Sequence, residues 1–479
     1  MQTTGTSRYD RGFDQFTVVT INSIAQGKTL VALLVDQSRS IAYGDLPHIV
    51  ARTDHYFDEV DKNLPSRLLD NGRWVVVAYG RTARFKCKPS NDLVYVKAAL
   101  GDVEVDASGT EDLGRAVNLV LDQYGGTNEY KTILIAAMTD ESGDDVKDPR
   151  LLEDLIRRMR NSRAEFFTLG KEGTFCAQRR RVTMTLDPEI MCARDRDAIR
   201  GFEGRTIEGW ANGGPESPRP ELWWGEDWQQ WQQWGGVVND IPSGFGMYEM
   251  NRMCLSTGGV YFLLKLESRY DEETDYAKYK PDICSRFDYD KRMDEVPLRT
   301  ELRAIWSEMG RFYLPYDLRT AEQVQQQLEG SARAREYCIK AAKRLQQLLT
   351  ESKPVGDNWA RWEAHAHLTV AELVRLHFML GQYHDALKQT FGQNDHAVPE
   401  GRRYVLVRGK APDDFVGLQA ARDEYDRALR YIDIVVEKHR DTPWDLAAQR
   451  LRYNVFPWKC DVIDLPKPDC RPAPPPVPF

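Results

Sequence analysis

Long apolar runs, surplus positive charge, paired cysteines and the common catalytic signatures are all missing from this 479-residue chain, and each absence removes a class of function. The longest apolar runs, Leu30–Val35 among them, are strand-sized and far short of the roughly 20 residues that cross a bilayer, so no membrane span is expected. Residues Met1–Asp14 are polar and mixed in charge and lack the apolar centre of a secretory leader. A cytoplasmic location follows for the chain as written, with export left open if the start is truncated or processed.

The formal net charge is -8, and phosphate backbones need a basic face, so nucleic acid is excluded as a partner. The eight cysteines are scattered and none forms a Cys-x-x-Cys pair, which removes a zinc site. In a reducing compartment they read as small buried apolar residues, and only Cys460 and Cys470 are placed to bridge in an exported protein. Gly27-Lys28-Thr29 ends like a phosphate-binding loop, but Asn22 stands where that loop needs glycine, and a strand follows it instead of preceding it. No Asp-x-Asp follows the first strand, no Gly-x-Ser-x-Gly elbow occurs, and no internal repeat of fixed period is evident.

What is present, over the first half, is an alternation of strand and helix patterns. Leu30–Asp36, Trp74–Tyr79, Thr132–Met138 and Ala164–Leu169 are continuous apolar runs of the kind buried on both faces of a parallel sheet. Helix-period segments lie between them at Pro47–Asp61, Glu111–Gln123 and Pro149–Asn161. Short right-handed crossovers then predict an α/β fold, a doubly wound, mostly parallel, Rossmann-like sheet, with ligands at the carboxyl ends of the strands.

Residues 170–243 break the rhythm as an Arg-, Gly-, Pro- and Trp-rich insertion, after which a helix at Met247–Ser256 and a strand at Val260–Leu264 close the sheet. The insertion holds Trp210, Trp223, Trp224, Trp228, Trp231 and Trp234, which read either as a small satellite core or as contacts for a partner. The expected organisation is a domain over 13–267, a charged connector over 268–320, a helical domain over 321–460 and a Pro-rich tail over 461–479. Long helices are predicted at Ala321–Glu351, Trp359–Leu387 and Asp413–Lys438. His365, His367, His377 and His384 share one of them, but no two are four apart, so surface or partly buried histidines are expected there and not a metal site.

The chemistry gathers where the strands end. The first strand runs into Asp36-Gln37-Ser38-Arg39-Ser40, an Asp-x-Ser-x-Ser turn that can offer a carboxylate and two hydroxyls to one point. A hard cation such as Mg²⁺ takes about six oxygens near 2.1 Å, so further donors are needed from neighbouring loops. Thr110, in Ser108-Gly109-Thr110, is placed at the opening of a helix, and Asp140 follows a strand in Met138-Thr139-Asp140.

This order of three segments resembles the metal-ion-dependent adhesion site of von Willebrand factor A domains, over roughly Phe13–Leu264 with the insertion set aside. The resemblance implies that Ser38, Ser40 and Thr110 coordinate an ion while Asp36 and Asp140 hold it directly or through water. Mg²⁺ is the expected metal, with Mn²⁺ or Ca²⁺ as alternatives. The family commonly has glycine where Arg39 stands, a change that leaves the ligands but alters the turn or sets a cation beside the ion.

The resemblance further implies a non-enzymatic adhesion or scaffolding module that grips an acidic residue of a protein partner. The alternatives are a subunit of an ATP-driven chelatase or remodelling complex, which would need a separate motor, and a metal-dependent hydrolase. Beyond Asp140, the acidic run Glu141-Ser142-Gly143-Asp144-Asp145 reads as a solvated cap for the helix that follows, the alternative being a second cation site. The oligomeric state is not encoded in any of these signals.

Overall fold

The computed structural model describes residues 8–37, 46–106, 108, 110–139, 143–174, 180–183, 206–209, 241–265, 278–309, 317–318, 320–352, 358–391, 402–408, 418–453, 455 and 457–464. The chain divides into two compact units. One comprises Met1–Gln178, Ala211–Pro218 and Asn239–Val296, the other Arg179–Trp210, Arg219–Val238 and Pro297–Phe479.

The first unit is built on a seven-stranded sheet. Its strands are β1 (Thr29–Asp36), β2 (Gly72–Tyr79), β3 (Ala83–Phe85), β4 (Thr132–Thr139), β5 (Ala164–Thr174), β6 (Pro242–Gly246) and β7 (Tyr261–Lys265). The spatial order runs β3-β2-β1-β4-β5, and both β6 and β7 pair with β5. The pairings β1–β2, β1–β4, β4–β5 and β5–β7 are parallel, while β3 and β6 are antiparallel. Every residue of β1 is buried, as are all but one in β2 and in β4, so the apolar runs are strands covered on both faces. This is the doubly wound α/β architecture that the alternation predicts.

The longer helices are α1 (Arg8–Gln26), α2 (Leu46–Asn63), α3 (Leu93–Gly101), α4 (Leu113–Val120), α5 (Pro149–Asn161) and α6 (Tyr248–Thr257). The bounds of α5 agree with the sequence expectation because they are written locally: Asp148 caps the Arg150 amide and Pro149 fills the first turn. Helix α1 escapes the pattern reading, since its start lies in the polar N-terminal stretch. It is held by aromatic packing: Phe16 lies 5.4 Å from Phe167, 6.4 Å from Phe262 and 5.5 Å from Tyr56, centroid to centroid. Below this cluster the Trp74 indole donates to the Tyr56 hydroxyl (3.0 Å), which donates to Thr20 (3.2 Å), and burial pushes the Tyr56 pKa up to about 12.

The stretch 268–320, expected as a connector, carries two helices, α7 (Arg286–Glu295) and α8 (Pro297–Met309), and the unit boundary falls between them. Ser285 starts the first by accepting the Asp288 amide, a signal that its charged composition conceals. In the second unit, α9 (Ala321–Glu351), α10 (Trp359–Phe391), α11 (Leu418–Lys438) and α12 (Pro443–Tyr453) bear out the helical expectation. A three-stranded antiparallel sheet joins them: Asp317–Leu318, Arg402–Arg408 and Trp458–Asp464. The last strand enters the segment read as tail, because residues 50 to 62 positions apart find each other through pairing that no local pattern reports. Two further antiparallel strands, Arg180–Thr183 and Thr206–Gly209, lie in the insertion, whose six tryptophans fall outside the described residues.

Helix α10 is packed on nearly all its faces by α8, α9, α11 and α12. Its four histidines go to four different neighbours. His365 is fully buried, not partly so as expected, between Trp306, Trp362 and Trp444, and the Trp444 indole donates to its Nδ1 (3.3 Å). His367 lies 2.9 Å from His439, His377 3.5 Å from Glu424, and His384 3.3 Å from Ser331. Of the cysteines, Cys87, Cys254 and Cys338 are buried and free and Cys284 is half-buried and free, whereas Cys470 lies outside the described residues.

Candidate functional site

In an open parallel sheet, the crevice opens where two neighbouring strands send their connections to opposite sides. Here the chain leaves β1 towards β2 on one flank and returns to β4 on the other, so the switch point lies between the carboxyl ends of β1 and β4. Asp36 ends β1 and Thr139 ends β4. Both are buried, and the Thr139 hydroxyl donates to Asp36 Oδ2 at 2.8 Å. A buried hydrogen bond of this kind fixes the carboxyl group at the crevice.

The next residue along, Gln37, fastens the neighbouring loops. Its amide donates to the Tyr79 carbonyl at the end of β2 (2.8 Å), and its side-chain amide donates to the Glu104 carbonyl (2.6 Å). Its own carbonyl accepts from the Asp106 amide (2.8 Å). Asp106 folds the loop that carries Thr110: its carboxylate accepts from the amides of Arg81 and Ser108, both at 2.8 Å, and these bonds hold its pKa below the usual carboxylate range. Ser108 Oγ in turn accepts from the Thr110 amide (3.2 Å). Gly80 allows this arrangement by close approach, since a Cβ there would stand 2.4 Å from Asp106 Oδ2.

Thr110 is half-buried and sits ahead of α4, which begins at Leu113, not at the helix opening as expected. The segment from Gly143 is bonded to the residue that follows Thr110. Glu111 and Asp144 are joined twice, by the Glu111 amide to the Asp144 carboxylate (3.2 Å) and by the Asp144 amide to the Glu111 carbonyl (2.6 Å). The Asp145 carboxylate accepts from the amides of Gly114 and Arg115 (2.8 and 2.7 Å), and burial raises its pKa. The acidic run therefore caps α4, the helix before it in the chain, while Asp148 alone caps the helix that follows. Gly143 has φ +79°, and a Cβ there would meet Leu113 Cβ at 2.6 Å, so glycine is required where this loop crosses the start of α4.

Of the five motif residues, Asp36 and Thr110 belong to segments at this edge, and Ser38, Ser40 and Asp140 lie outside the described residues. The segments that contain them are bonded to one another at Asp36–Thr139, Gln37–Asp106 and Glu111–Asp144. Among the described residues no group of three or more His, Cys, Asp or Glu gathers to hold a metal. Asp36 and Thr110 carry a carboxyl group and a hydroxyl, hard oxygens of the class that Mg²⁺ selects. Sequence reasoning missed Thr139, Asp106 and Gly80. The spacing of Asp106 and Ser108 is an Asx-turn signal that could have revealed the second.

No family model matches the chain, and no curated protein matches it. Among solved structures it is similar to the conserved hypothetical protein BatB from Bacteroides thetaiotaomicron, with 13% identity, 49% of this chain and 89% of that one covered, and a TM-score of 0.27. It is also similar to the VWA domain of SpRpn10, with 14% identity, coverage of 30% and 74%, and a TM-score of 0.23. An aerotolerance-related membrane protein from Bacteroides fragilis gives 14%, 49% and 90%, and 0.26. At such identities and scores the fold of this chain rests on its own strand order and register. Among the described residues no helix is long and apolar enough to cross a membrane.

Proposed function

We propose that the first unit is a binding module of the von Willebrand factor A type, one that uses a divalent cation, Mg²⁺ foremost, to dock a protein partner, and that it does so without catalysis. The observation that supports this reading is the position of Asp36: a buried carboxylate at the sheet's switch point, braced by Thr139, with the Thr110 loop fastened beside it. Asp140 follows Thr139 directly in the chain, and Ser38 and Ser40 follow Gln37 at alternate positions, so the remaining donors of the motif belong to segments anchored at this edge.

Asp36, Ser38, Ser40, Thr110 and Asp140 would hold the ion. Two carboxylates and three neutral hydroxyls leave a divalent cation electrophilic, so that, when bound, it accepts a carboxylate oxygen from a partner in place of water. The protein's part is to hold its donors before the partner arrives, and the loop-to-loop bonds around Gln37, Asp106 and Asp144 tie the end of β1, the Thr110 loop and the segment from Gly143 to one another without any ligand.

Affinity capture from the native organism tests this, with the wild type and Asp36→Ala as baits, each with Mg²⁺ and with EDTA. Proteins retained by the wild type in Mg²⁺ and lost in the other three conditions are the expected result. Recovery of the same proteins in all four would overturn the reading.

A further inference from the structure

At the opposite, amino-terminal edge of the same sheet is a cavity of about 420 Å³, in the size range of small-molecule sites. It is lined by residues at the starts of β4 and β5 and the ends of α5 and α6, among them Lys131, Thr132, Arg160, Arg163 and Glu165. Three cationic residues and one acidic residue therefore line it. Basic residues at helix carboxyl ends usually serve the last carbonyls and the helix dipole. That duty is already discharged here by backbone amides and a hydroxyl. Ser162 N caps the Arg158 and Met159 carbonyls, Arg163 N caps Arg160, Gly259 N caps Cys254, and the Thr257 hydroxyl caps Met253.

The cationic heads are thus left for something else. Among the described residues the guanidiniums of Arg160 and Arg163 make no hydrogen bond or ion pair, and Glu165, though lining the same cavity, pairs with neither. Lys131 gives one of its three protons to the Gln26 carbonyl (3.0 Å) and keeps two. Arg163 also occupies the left-handed region, φ +54°, where glycine is the easy residue, and its carbonyl is tied into the sheet by the Ile133 amide (3.4 Å).

We infer that this cavity is a binding site for a small oxyanion, a phosphate or a carboxylate group, held by the guanidiniums of Arg160 and Arg163 and the ammonium of Lys131. Forked guanidiniums suit the paired oxygens of both groups. Glu165 is the opposing charge in the site and weakens the anion's hold; its partial burial already raises its pKa, so acid pH strengthens binding. The cavity and Asp36 lie at opposite ends of the strands, about 23 Å apart along β4 at roughly 3.3 Å per residue, so the two sites are loaded independently.

Isothermal titration of the full chain with inorganic phosphate and, separately, acetate, each at ionic strength fixed with chloride, tests the inference. Saturable binding of one or both at one site per chain is expected, and the tighter of the two identifies the ligand chemistry. Arg160→Ala with Arg163→Ala should weaken it at least about tenfold, Glu165→Gln should tighten it about threefold or more, and Asp36→Ala should leave it unchanged. Circular dichroism confirms that the exposed double variant is folded. Heats that fail to saturate for both anions, or equal affinity in the folded double variant, would refute the site.

Discussion

Replacing Thr139 by valine removes one hydroxyl and keeps the volume and the β-branching that β4 requires. In the native protein that hydroxyl donates to Asp36 Oδ2 at 2.8 Å, both residues being buried. Removing the donor to a buried carboxyl oxygen costs about 1–3 kcal/mol and takes away one of the restraints that orient that group in the crevice. Groups that orient metal ligands from behind are worth about 10- to 100-fold in affinity, which agrees with that energy at about 1.4 kcal/mol per decade. Mn²⁺ binding, followed by the paramagnetic resonance of the free ion, should therefore weaken by about one to two decades in Thr139→Val. Amide exchange along β4 without metal should report a local opening free energy lower by about 1–3 kcal/mol. Affinity within twofold of wild type and unchanged β4 protection would refute the idea that Thr139 positions Asp36.

Gly80→Ala would place a Cβ 2.4 Å from Asp106 Oδ2, so Asp106 must swing off the Arg81 and Ser108 amides; a loss of about 1–3 kcal/mol by urea titration and a severalfold weaker ion affinity are expected. His367 is held near pKa 4, against 6.5 in an unstrained chain, by burial and by the charge of Lys438. Because the folded state keeps this imidazole neutral, its stabilisation is complete above pH 6.5 and is lost as pH falls towards 4. The second unit should thus be about 2 kcal/mol less stable at pH 5 than at pH 7, and His367→Gln should remove most of that slope in denaturant titrations.

The core of the fold was readable from residues alone where the governing physics is local. Leu30–Asp36 and Thr132–Met138 announce strands covered on both faces, and each agrees with the observed strand to within one residue at either end. Elements set by distant partners were not readable. Arg402–Arg408 lies in a stretch expected as part of a helical domain and is a strand because it pairs with Trp458–Asp464, and α1 becomes intelligible only when Phe16 meets Phe167 and Phe262.

The same division runs through the site. Asp36 and Thr110 are visible because their chemistry is written in residue type and spacing. Thr139, Asp106 and Asp145 act through bonds to segments 25 to 103 residues away, some of them to backbone amides whose direction no side-chain identity reports. The acidic run after Asp140 reads as a cap for the following helix for that reason: capping from across a loop leaves no mark on the local sequence.

The most direct measurement is Mn²⁺ titration of the full chain and of Asp36→Ala. One equivalent bound by the wild type, with affinity at least about tenfold weaker in Asp36→Ala and a smaller loss in Thr110→Ala, is the predicted result. Equal Mn²⁺ affinity in all three proteins would contradict the claim that these loops converge on one ion.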